Sequence, residues 1–153
     1  MIRLAIVMTV DELLAEAAAL PLRDAAYAIW RHKITFERLE GRVWPRRDLG
    51  TPEARERAIR ESTARINHEH DFAQDGPTFD RLKRAHPHAA DPELKQAIVD
   101  AVKFDDDCFN YFSYGTDFGE TCLRAVARAA QDHPPYLETT YRDARNRVAY
   151  CMK

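Results

Sequence analysis

Thr51-Pro52-Glu53 and Asp91-Pro92-Glu93 repeat one local signal: a side chain able to cap a helix, a proline at the first helical position, and an acid in the first turn. Thr9, with Glu12 three residues on, adds a capping box before the Ala/Leu-rich run to Leu20. The stops are as regular as the starts. Pro21 opens a second helix, from about Leu22 to Glu40, that Gly41 and Pro45 end. The third runs from Thr51 toward His70 or Ala73 and closes at Gly76-Pro77, and a short one from Thr78 to Ala85 precedes the break His86-Pro87-His88. A long helix follows from Asp91 through Phe112, then one over Thr121 to Gln131, and His133-Pro134-Pro135 introduces a last one, Tyr136 to Tyr150. Only Ile2 to Val10 could form a strand, and a lone strand has no sheet to join. The pattern predicts an all-α chain, a single-domain bundle of six to seven helices over residues 1–153.

At 153 residues, such a bundle buries a core without disulfide or metal staples. Cys108, Cys122 and Cys151 are odd in number and widely spaced, which gives no disulfide framework and fits a reduced, cytoplasmic setting. The apolar runs are far shorter than the roughly 20 residues that cross a bilayer, and Asp11, Glu12 and Glu16 interrupt any leader-like stretch. No membrane role is expected. A net charge of −2 argues against a protein that coats nucleic acid. The charge is unevenly spread: residues 21–65 hold eleven lysines and arginines against seven acids, a local +4, whereas residues 91–120 hold two against eight, a local −6.

Helical periodicity shows which polar residues ride on apolar stripes. In the second helix, Leu22, Ala25, Ile29, Phe36, Leu39 and Val43 leave one gap, filled by His32. In the third, Ile59, Ser62 or Thr63, Ile66 and Ala73 define a face that includes His70. In the helix from Asp91, the stripe Leu94, Ile98, Ala101, Cys108, Phe112 misses one step, at Asp105. A carboxylate on a core face costs several kcal/mol unless something neutralises it. Histidines aimed at the same interior could do so, and the periodicity predicts His32, His70 and Asp105 buried near one another.

The chain order His32, then the adjacent His70-Asp71, then Asp105, resembles that of the HD-domain phosphohydrolases, helical proteins that hold one or two divalent metals. The resemblance implies that His32, His70, Asp71 and Asp105 are metal ligands and that a metal-bound water attacks a phosphate ester.

Other catalytic patterns are missing. The sequence has no Glu-x-x-His for a di-iron bundle, no Gly-x-Ser-x-Gly elbow and no phosphate-binding glycine loop. Residues 104–118, however, set Phe104, Phe109, Tyr111, Phe112, Tyr114 and Phe118 among several aspartates, more aromatic rings than one helix face can bury. Such an acidic, aromatic surface suits a basic partner. Two readings follow. The first is a small soluble helical binding or regulatory protein that acts through a protein interface, with a protein partner or as a homodimer, using Tyr111, Tyr114 and Phe118 on one side and Arg46 and Arg47 within the Arg-rich segment 42–65 on the other. The alternative is the metal-dependent phosphohydrolase of a phosphorylated small molecule, with a divalent metal as cofactor.

Overall fold

The apolar stripe interrupted by Asp105 becomes the spine of the fold. Helix α6 (Asp91–Asn110) spans 20 residues, about 30 Å at 1.5 Å per residue. Leu94, Ala97 and Ile98 on its first half and Ala101, Phe104 and Cys108 on its second are all buried. The computed structural model describes residues 8–41, 50–71 and 73–153, with the side chains at 62, 63, 65–71 and 73 outside the description. Among these residues there is no strand. The other helices are α1 (Val10–Ala18), α2 (Leu22–Arg31), α3 (Lys33–Leu39), α4 (Pro52–Asp71), α5 (Pro77–Ala85), α7 (Phe118–Gln131) and α8 (Glu138–Met152), with a 3₁₀ turn at Ala73–Asp75. None is long and apolar enough to cross a membrane.

The fold class is all-α, as the punctuation predicts, with eight α-helices among the described residues instead of six to seven. One of the differences is the second helix, read as continuous from Leu22 to Glu40, which divides at His32. There the backbone turns to φ −99°, ψ 23°, ending α2 and starting α3. Each predicted start has a physical counterpart, with local variations. Thr9 Oγ1 accepts from the Glu12 amide and Thr51 Oγ1 from the Ala54 amide, both at 3.1 Å. Asp91 lies inside α6 and pairs with Lys83 instead of capping. Helix α7 begins three residues earlier than expected because Asp117 caps it, accepting from the Glu120 amide at 3.1 Å.

Two cores lie along α6. Around its first half, Leu14 and Ala17 of α1, Ala25, Ala26, Ile29 and Trp30 of α2, Phe36 of α3 and Leu82 of α5 close one cluster. Around its second half, Tyr27 of α2 joins Cys122, Val126 and Ala129 of α7 and Ala144 and Val148 of α8. Helix α2 therefore serves both. Its Asp24, 3% exposed, accepts from the Leu137 amide at 2.8 Å and from Thr140 Oγ1 at 2.6 Å, so it caps the start of α8 from a neighbouring helix. All three cysteines are free, Cys108 and Cys122 buried and Cys151 exposed. Ile59, assigned by periodicity to an inward face of α4, is 46% exposed. Among the described residues the main packing of α4 is against the 3₁₀ turn that follows it.

Candidate functional site

The last helix, which carries none of the residues singled out from the sequence for a site, organises the polar side chains between α2, α6 and α8. Asp143 and Arg147 sit four residues apart on α8 and so share one face. Arg147 donates from Nε to Asp105 Oδ1 at 2.6 Å and from Nη2 to Oδ2 at 3.1 Å, a two-point grip on a carboxylate that is 2% exposed. Its guanidinium also lies 5.5 Å from the Trp30 ring centre and 5.3 Å from that of Phe109. Burial disfavours the charged guanidinium, but the bond to Asp105 and the charges of Asp105, Cys151 and Tyr27 together outweigh it and raise the Arg147 pKa. One turn earlier, Asp143 Oδ2 meets His32 Nε2 at 2.8 Å and its other oxygen lies 3.7 Å from Arg31 Nε. Burial pushes the Asp143 carboxyl up, while the bond to His32 and the charges of His32, Arg31 and Arg147 together hold it below the usual carboxylate range.

The periodicity argument thus identifies Asp105 correctly as a buried charge but not its partner, which is an arginine. His32 is not buried. Because α2 ends on it, the ring leaves the apolar stripe, is 42% exposed, and turns to Asp143. His70 and Asp71 lie on the last turn of α4, and their side chains fall outside the described residues. Arg147 holds both oxygens of Asp105 and Asp143 holds His32, so these two expected ligands are each engaged elsewhere. Among the described residues no group of three histidines, cysteines or acids is placed to hold a metal ion. A signal for Arg147 was present: it follows Ala144 by three residues on the face that buries Thr140, Ala144 and Val148.

The aromatic segment forms the opposite kind of site, at the surface. Tyr111, at the end of α6, donates its hydroxyl to Asp132 Oδ2 at 2.5 Å, and Arg128 lies 4.7 Å above its ring while binding Asp132 Oδ1 at 3.0 Å. His133 Nε2 meets Asp107 at 2.6 Å beside them. Phe118 is half-buried, its ring edge-on to Phe112 at 6.0 Å, and supports the loop from within. Tyr114 stands on Phe112, edge-on at 4.8 Å, with its hydroxyl on the Met152 carbonyl at 2.9 Å, yet is 70% exposed. That bond ties the loop to the last turn of α8, where Tyr150 is 85% exposed. Of the expected partner-binding residues, Tyr111 and Tyr114 therefore reach solvent and Phe118 braces them, whereas Arg46 and Arg47 lie outside the described residues. Tyr150 escaped the sequence reading because an aromatic in a helix of mixed polarity carries no mark of its exposure.

Compared with known protein families, with curated proteins and with solved structures, the chain matches none.

Proposed function

We propose that this chain is a small helical binding protein that works by pairing with a second copy of itself, the acidic aromatic end of one copy receiving the arginine-bearing helix α4 of the other. The observation that carries this reading is Tyr114, 70% exposed while fixed at both ends of its side chain by Phe112 and the Met152 carbonyl. A large ring held rigid in water loses little further freedom on binding, the property that makes tyrosine common in interface centres. Tyr150 and Tyr111 extend the same end of the bundle. The complementary surface is in the same sequence: Arg55 and Ile59, one turn apart and so on one face of α4, are both exposed, and Arg55 has no ion-pair partner among the described residues. The acidic segment 91–120 has a local charge of −6, and the part of α4 within the basic segment, residues 52–65, holds four arginines against three glutamates. A two-fold axis makes the contact twice, α4 of each copy on the aromatic end of the other.

Sedimentation equilibrium tests this. The expected mass is about 35 kDa, twice the chain's 17.6 kDa, falling toward the monomer as salt rises, since much of the attraction is between exposed charges. Tyr114→Ala with Tyr150→Ala, and separately Arg55→Glu with Ile59→Glu, shift the protein to monomer. A wild type that stays monomeric at low salt and high concentration, or a dimer indifferent to both pairs of substitutions, overturns the proposal.

A further inference from the structure

Helices α1, α2 and α3 enclose a groove of about 250 Å³, on a different part of the bundle from the aromatic end. Leu13 and Leu20 of the α1 region, Ile29 of α2 and Phe36 of α3 make its walls apolar, and Glu16 and His32 stand in the lining. The groove exists because the chain breaks at His32: a helix continuing through that residue would carry α3 along the axis of α2 instead of turning it to form a third wall. Thr35 also lines the groove, with a hydroxyl that donates or accepts, and the lining holds one carboxylate. Glu16 is an exposed carboxylate with no partner among the described residues. His32 directs Nε2 to Asp143, and when the ring is neutral a proton on Nε2 leaves Nδ1 as an acceptor without a donor among the described residues. Arg31 and Arg147 face Asp143 but neither lines the groove. An apolar slot whose lining carries one carboxylate and, with the His32 ring neutral, no cation selects a cation with an apolar body and rejects an anion.

We infer that this groove binds a small primary amine, its ammonium between Glu16 and His32 and its hydrocarbon part against Leu13, Leu20, Ile29 and Phe36. The volume equals that of roughly eight waters at about 30 Å³ each, which fits an aryl-methyl or short alkyl amine of about eight heavy atoms.

Benzylamine, benzyl alcohol and benzoate share one ring and differ in charge, so titrating each into the full chain at about pH 8, with backbone amide shifts as the readout, separates charge from shape. Benzylamine is expected to give saturable shifts confined to α1, α2 and α3, with a dissociation constant on the order of 1 mM for so small a ligand. Benzyl alcohol binds about fivefold more weakly and benzoate gives no saturable shift. Glu16→Gln, a surface change that leaves the core untouched, weakens benzylamine about fivefold, the worth of one partly exposed charge pair. Ala28→Leu, which fills the groove, abolishes binding, and Arg124→Ala, on the exposed face of α7, leaves it unchanged. Non-saturable shifts with benzylamine, equal affinity for benzoate or benzyl alcohol, or full affinity in Glu16→Gln would each overturn the inference.

Discussion

Arg147 shows how one residue can decide the state of a core. Asp105 is 2% exposed and its charge is tolerated because both oxygens are held by the guanidinium. Removing one member of a buried pair leaves the other uncompensated, so Arg147→Ala is expected to cost about 3–5 kcal/mol in urea unfolding. Asp105→Ala with Arg147→Ala should cost clearly less than the sum of the single changes, because neither leaves an orphan. Additive costs in that cycle would mean the pair is not coupled. Asp143 yields a separate prediction through pH. Its folded carboxyl is held below its unfolded value near 3.9, so the folded state binds fewer protons there and stability falls as pH falls. The contribution is present above about pH 4 and lost as pH drops through the folded value. Acid unfolding of Asp143→Asn should be less steep below about pH 4 than that of the wild type, and identical slopes would assign the acid sensitivity elsewhere.

At the scale of elements, what was legible in the sequence was what is decided locally. Thr9, Thr51 and the prolines after Thr51 and Asp91 mark helix starts because capping is a contact over three residues, and the α6 stripe gave Leu94, Ile98, Ala101, Asp105 and Cys108 as core. The break at His32 was not legible, since Leu22, Ala25, Ile29 and Phe36 keep helical spacing across it, and the contacts that hold α3 in its turned course, such as Arg81 of α5 with Glu37 and Phe36, lie far along the chain. The partners of Asp105 and His32 were illegible for the same reason: Arg147 and Asp143 lie 42 and 111 residues away and meet them only through the placement of α8. Asp24 is a third long-range device, anchoring the start of α8 from α2. Asp24→Ala leaves the Leu137 amide and Thr140 hydroxyl without their acceptor, with an expected loss of about 1.5–3 kcal/mol. Asp117→Ala removes an exposed local cap of α7 and should cost only about 1 kcal/mol. Thermal unfolding of the two variants checks the order, and a larger loss at Asp117 would reverse the roles given to the two caps.

The whole molecule has an interior that is largely self-sufficient and two surface features that are not. α6 and α2 join the two cores, and most buried charges are paired across helices: Asp105 with Arg147, and Arg81 with Glu37 and Glu40. Against that economy stand Tyr114 and Tyr150 at one end and Ile59 with Arg55 and Arg57 on α4, apolar and cationic groups presented to water. In the proposed pairing a second copy covers both at once, which makes self-association the central claim. It is tested most directly by mixing isotope-labelled with unlabelled chain at low salt and recording nuclear Overhauser contacts that pass only between copies. The account predicts such contacts from the Tyr114 and Tyr150 rings to the Ile59 methyl groups and the Arg55 side chain. Intermolecular contacts confined to other surfaces, or none at all in a sample concentrated enough to pair, would contradict it.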